Sequence, residues 1–205
     1  FSGNASSCNA WVTVAESSLP QAHCQDITVE LDKDGLGGIT LEDVDNGSSV
    51  SCNSPNMRLE GRTNFDCEDL NNDTLFVTLI VTDASGNEAT CKAKITVVDK
   101  IAPMAICGID PVDLPLGSNG TAYLPINLVN NGSSDNCGIE TISLSKSSFT
   151  CDDLGENIIA LIVVDSSGNA DTCSRIINIV NSAATNLVCK NIEVCLYGIV
   201  IVISV

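Results

Sequence analysis

The sequence predicts an all-β chain of tandem sandwich modules, each about 83 residues long and each stapled by disulfides. Three observations predict it. Ser-Gly-Asn followed four residues later by cysteine occurs three times: Ser2-Gly3-Asn4 with Cys8, Ser85-Gly86-Asn87 with Cys91, and Ser167-Gly168-Asn169 with Cys173. The first serines are 83 and then 82 residues apart, and a second marker cysteine recurs sixteen residues on, at Cys24, Cys107 and Cys189. Between the markers, apolar residues alternate with polar ones or form short β-branched runs, and no stretch of ten or more residues carries a helical period.

The period divides the chain. Residues 1–23 read as the C-terminal part of a preceding repeat, 24–106 and 107–188 as two complete repeats, and 189–205 as the N-terminal strands of a following one. The copies are out of phase with the chain ends, so the 205 residues are expected to be a window on a longer array.

The elements of a module follow in order. Ile27, Val29 and Leu31 point one way while Thr28 and Glu30 point the other, a half-buried first strand. Asn46-Gly47-Ser48-Ser49 and Asn131-Gly132-Ser133-Ser134 mark turns at matching places. Leu75 to Val81, with its copy Ile158 to Val164, is apolar enough to be a central strand. Asp-x-Ser-Gly-Asn follows each, from Asp83 and from Asp165, and then a last strand, Cys91 to Val98 or Cys173 to Val180. That is a hairpin with glycine at a position needing positive φ, and with Asp83 and Asp165 expected to accept backbone N–H bonds across the turn. Six to eight short strands in this length give an immunoglobulin-like β-sandwich. Aromatics are only 3% of the residues, so the core falls to Val, Ile and Leu, and a core that thin gains from covalent staples. The run Gly198 to Ile203 is too short to span a bilayer as a helix and reads as a strand whose partners are missing. The segment Asp99-Lys100-Ile101-Ala102-Pro103 reads as a short, proline-restricted linker between beads.

Eleven cysteines without a Cys-x-x-Cys pair, beside a single histidine, favour disulfides over zinc, and disulfides place the chain outside the cytoplasm. Each full module holds four: Cys24, Cys52, Cys67 and Cys91, then Cys107, Cys137, Cys151 and Cys173. Cys52–Cys67 and Cys137–Cys151 each close a hairpin-sized loop. The remaining pair is Cys24–Cys91 within a module or Cys91–Cys107 across a junction. First and last strands of a sandwich commonly run side by side in parallel, which brings Cys24 and Cys91 to one pole. Cys107 lies a whole strand beyond Cys91, about 30 Å along an extended chain, while a disulfide needs Cα atoms within about 7 Å. Geometry therefore favours Cys24–Cys91 and Cys107–Cys173. Cys8 and Cys189 would then have partners outside the window, and Cys195, which aligns with Glu30, is left over.

The run Asp83-Ala84-Ser85-Gly86-Asn87-Glu88-Ala89-Thr90-Cys91, the strand Ala93 to Val98 with Asp99, and Ala102-Pro103 before Cys107 resemble the hyalin repeat (HYR) family and its tandem relatives in very large surface proteins of Bacteroidota. The second module matches less closely, with Asn181 in place of Asp99 and Thr185 in place of the linker proline, although Asp135-Asn136-Cys137 fits the bacterial pattern. The resemblance implies an extracellular stalk or adhesion module, exported by a type IX secretion system, in a gliding adhesin or a grappling-hook filament. Its partners would be further repeats of the same chain, identical chains in a fibre, and surface glycans or proteins of another cell.

A formal charge of −17 argues against nucleic acid, and no membrane insertion of this segment is expected. No enzyme is expected either: His23 falls in a linker, no Gly-x-Ser-x-Gly elbow occurs, and no acid pair recurs between modules. The expected role is a structural repeat giving reach and resistance to force and proteolysis. The alternatives are a carbohydrate- or protein-binding adhesion module and the stalk of a larger extracellular enzyme. No cofactor is required. Calcium is the candidate metal, at Asp43, Asp45 and Asp99, since Asp43-x-Asp45-Asn46 offers hard oxygen ligands near a turn and Asp99 precedes a linker.

Overall fold

The structure is a computed structural model that describes residues 3, 5–11, 18–51, 54–181 and the backbone of 191–196 and 199–204. The chain forms two compact units, Phe1–Leu31 with Leu36–Val98, and Asp32–Gly35 with Asp99–Val205. Each is built around an immunoglobulin-like β-sandwich.

The first unit contains β1 (Ile27–Glu30), β2 (Leu36–Gly38), the single turn α1 (Leu41–Val44), β3 (Asn56–Glu60), β4 (Asn64–Asp66), β5 (Phe76–Thr82) and β6 (Glu88–Val98). Its main sheet has the order β1-β6-β5-β3, beside a two-stranded sheet of β2 and β4. Alternation decides which side chains go inside: Val77, Leu79 and Val81 of β5 and Ala93, Ile95 and Val97 of β6 are buried, as are Val29 and Leu31. Strand β2 lies so close to β1 that a Cβ on Gly37 would meet Leu31 Cδ2 at 3.2 Å, which is why glycine stands there. Strand β1 runs parallel to β6, Ile27 opposite Ile95, and the other pairs of the main sheet are antiparallel.

The second unit repeats the plan with β7 (Val112–Pro115), β8 (Ala122–Tyr123), β9 (Ile139–Leu144), β10 (Ser148–Phe149), β11 (Gly155–Asp165) and β12 (Ala170–Val180). The order is β7-β12-β11-β9, with β7 parallel to β12, and β8 pairs with β10. Its core is Leu116, Leu124, Val129, Phe149, Ile159, Leu161, Val163, Ile177 and Ile179, aliphatic except for one ring. The predicted central strands are interior in both sheets.

The boundary between units falls after Val98, eight residues before the predicted 106/107 edge (106 − 98 = 8). Hydrogen bonds explain the difference. Ala105 N–H donates to Asp171 Oδ2, Asn131 N–H to the Ile106 carbonyl, and Met104 bridges to Ser134. The segment read as a linker is thus built into the second unit, with Pro103 buried. In the first unit Gln21 bridges to Ser49 and Pro20, 83 residues before Pro103, is buried in the same way. His23 is exposed, and only its backbone is engaged, with Ser48 and Asn46.

Beyond the sandwiches, β13 (Asn191–Leu196) and β14 (Ile199–Ser204) pair antiparallel, Cys195 opposite Val200. The apolar run read as a strand without partners has one in β13. No described helix is long and apolar enough to cross a membrane.

Candidate functional site: disulfide clasps and an acidic cluster

The parallel pairing of first and last strands sets the position of the outer disulfides. Counting back from Ile27 opposite Ile95 places Cys24 next to Cys91, and the two are joined with their Cα atoms 5.9 Å apart. Cys107 and Cys173 are joined in the same way, Cα atoms 5.8 Å apart. All four cysteines are half-buried at the edge of the core. Cys67, Cys137 and Cys151 are also disulfide-bonded. Cys52 and Cys189 lie outside the described residues, as does the Cys195 side chain, and Cys8 is an exposed free thiol.

A second repeated device holds Cys67 and Cys151, and the sequence reading passed over it: a basic residue, phenylalanine three on, cysteine two further, aspartate two further. In the first unit Arg62 donates to Asp69 Oδ1 and Oδ2 at 2.9 and 2.6 Å and stacks 5.5 Å from the Phe65 ring centre. Asp69, 3% exposed, also accepts the Asp66 N–H, and Asp66 caps the short turn Cys67–Asp69. In the second unit Lys146 pairs with Asp153 and sits over the Phe149 ring, while Asp153 accepts the Thr150 N–H. The Lys146 hydrogen bond, followed by the Thr150 N–H, holds the Asp153 carboxyl below the usual range against the pull of burial. The signal was available as the alignment of Arg62 to Asp69 with Lys146 to Asp153. It was hidden because Arg and Lys, and Asp66 and Thr150, differ in identity while sharing a role.

The three predicted calcium ligands do not gather in the structure. Asp43 Oδ2 accepts from Thr40 N–H at 2.7 Å and from its hydroxyl at 2.8 Å, closing the first turn of α1. Those bonds, backbone first, lower its pKa. Asp45 Oδ1 accepts the Ser48 N–H at 2.9 Å. Burial pushes Asp45 up, but the Ser48 and Gly47 donors outweigh it and the net shift is downward. Both carboxylates are occupied in local turns, the role Asp commonly takes there.

Asp99 joins a different set. Among the described residues, one group of three metal-ligating side chains comes together: Asp99, Asp135 and Asp165, each offering an oxygen, all three oxygens within 4.8 Å of one another. All three belong to the second unit. Asp165 ends β11 and is fully buried. Its Oδ1 accepts Ser167 and Asn169 N–H at 2.9 and 2.8 Å, and its Oδ2 accepts Asn169 Nδ2 at 2.8 Å. Asp83 makes the matching bonds in the first unit, to Ser85 N–H, Asn87 N–H and Asn87 Nδ2. Those turns place Gly86 and Gly168 at φ 87° and 88°, where a Cβ would strain the backbone. Asn169 Nδ2 also donates to the carbonyls of Asp99 and Ile101, which draws the entering chain onto the hairpin. Asp99, 5% exposed, accepts Ile101 N–H and Asn136 Nδ2 on Oδ1. Asp135 accepts Cys137 N–H on Oδ2. The remaining oxygens, Asp99 Oδ2 and Asp135 Oδ1, are buried and accept no hydrogen bond. Each of these donors is a neutral amide. Two ionised carboxylates about 4.8 Å apart repel by roughly 3 kcal/mol at an effective dielectric of about 20.

No family model and no curated protein matches the chain. Solved structures with partial similarity include Drosophila OTK extracellular domains 3–5, at 12% identity and TM-score 0.37, covering 79% of this chain and 60% of that one. The N-terminal four Ig domains of Dscam1 isoform 9.44 align at 10% identity and TM-score 0.41, covering 82% and 47%. Human mucin-like protocadherin EC1-2 aligns at 9% identity and TM-score 0.36, covering 80% and 98%. The chain thus spans 60% and 47% of the first two. The fold assignment itself rests on the strand orders and pairings described above.

Proposed function

We propose that the chain is a structural segment of a large secreted surface filament or adhesin of the hyalin-repeat type, exported by a type IX system in Bacteroidota, whose sandwiches supply reach and withstand load and proteolysis. One observation carries the reading: in both units a disulfide ties the start of the first strand to the last strand, its parallel neighbour. A pull along the chain enters at β1 and leaves at the end of β6, so these two strands are loaded in shear. The Cys24–Cys91 bond closes a span of 67 residues and Cys107–Cys173 one of 66, and neither span can be drawn out while its bond holds. Closing such a loop also stabilises a domain by about 4 kcal/mol under the entropic model, comparable with the net stability of a small domain. Disulfides persist in oxidising surroundings, which supports an extracellular location.

The test is immunolabelling of intact source cells with antibodies to the two units. Surface label, removed by external protease digestion, supports the reading. Label that appears only after permeabilisation contradicts it. Saturable binding of the chain on a glycan array would move the role from spacer to ligand-binding module.

A further inference from the structure

We infer that Asp99, Asp135 and Asp165 form a calcium site at the entrance to the second unit, independent of the filament reading. Three buried or half-buried carboxylates converge, and two of their oxygens, Asp99 Oδ2 and Asp135 Oδ1, are buried without a hydrogen-bond donor. A buried, unpartnered carboxylate oxygen is costly, and a cation is the partner that would satisfy both at once.

The ligand set selects the ion. It is all oxygen and rich in carboxylate, the chemistry of a hard divalent cation rather than zinc or copper. Oxygens on opposite sides of a calcium ion, about 2.4 Å from it, lie about 4.8 Å apart, whereas magnesium at about 2.1 Å spans only about 4.2 Å. The observed limit of 4.8 Å between the three oxygens matches the larger ion.

The first unit supplies an internal contrast. Asp83 repeats the Asp165 hydrogen bonds, but Val50 stands where Asp135 does and Ala15 where Asp99 does. One carboxylate therefore serves the hairpin in both units, and the two added acids give the second unit its site. In sequence the three lie at a chain entry, a loop and a strand end, so a bound ion would cross-link Asp99 to two parts of the sandwich. The exposed Lys100 follows Asp99 directly, and calcium would hold the Lys100–Ile101 bond against trypsin.

Calorimetric titration of the 205-residue chain, stripped with chelator, tests this with calcium chloride and magnesium chloride. The expected result is one calcium per chain with Kd of about 10⁻⁴–10⁻³ M, the range of extracellular modules, with magnesium weaker. Calcium should also raise the melting temperature and slow cleavage after Lys100. Asp135→Asn should weaken calcium binding at least about tenfold, since charge count sets affinity. In chelator the same variant should melt at or above the wild-type temperature, because it removes one of three repelling charges. A merely structural role for Asp135 would instead lower the melting temperature with and without calcium. Asp45→Asn should leave calcium affinity unchanged. The assignment is overturned if the wild-type chain takes up no calcium at about 10 mM, if magnesium binds as tightly, if Asp135→Asn binds like wild type, or if Asp45→Asn abolishes binding.

Discussion

Pulling a single chain from its two ends should reveal how much of each sandwich is withheld by its outer disulfide. The closed spans are 67 residues in the first unit and 66 in the second. At about 3.3–3.6 Å per extended residue, each hides about 220–240 Å of contour length. Under oxidising conditions, rupture of a sandwich therefore releases only the residues outside the clasp. With a thiol reductant present, each unfolding step should lengthen by about 220–240 Å. Atomic force or optical-trap spectroscopy reads this length directly. Replacing Cys24 and Cys91 with serine should lengthen one of the two steps and leave the other unchanged. The gain would fall slightly short of the full span, because Cys67 remains disulfide-bonded. Equal step lengths in oxidised and reduced chains would refute the reasoning, since they would mean that no clasp spans the sandwich.

Other perturbations test the individual parts. Phe149→Ala, at a fully buried ring in the second core, should cost about 3–5 kcal/mol by chemical denaturation, whereas Phe76→Ala, at a half-exposed position, should cost far less. Arg62→Ala strips the buried Asp69 of a bidentate donor and should cost about 1–3 kcal/mol in the same assay. Acid should destabilise the fold through Asp83 and Asp171. Burial pushes Asp83 up, but the Asn87 side chain and the Asn87, Ser85 and Gly86 N–H groups hold it below 3.8 on balance. The Ala105 N–H, then that of Thr172, lowers Asp171. A carboxyl depressed in the folded state contributes fully above its unfolded pKa and loses that contribution as pH falls through the folded value. The melting temperature should stay level down to about pH 5 and fall below about pH 4, less steeply in Asp83→Asn.

Much of the architecture was legible because repetition exposes it. Equal spacing of Ser85 and Ser167, and of Cys91 and Cys173, fixes the hairpin in both units at once. Alternation at Ile27, Val29 and Leu31 identifies a half-buried strand, and the inference that first and last strands lie parallel leads to the clasp geometry. The acidic cluster was not legible for the opposite reason. Asp99, Asp135 and Asp165 are far apart in sequence, and two of them stand where the first repeat has Ala15 and Val50, so a search for recurring residues discards them. Asp43 and Asp45 drew attention through proximity to each other, yet proximity in a turn reflects backbone capping. The unit boundary was misplaced because Pro103 suggested a free linker. Its burial, with the bonds at Met104 and Ala105, makes the segment part of the second sandwich.

Disulfide mapping by mass spectrometry under non-reducing conditions tests the central claim most directly. The account predicts peptides linking Cys24 to Cys91 and Cys107 to Cys173 in the native chain. A peptide linking Cys91 to Cys107, or free thiols at these four positions, would contradict it.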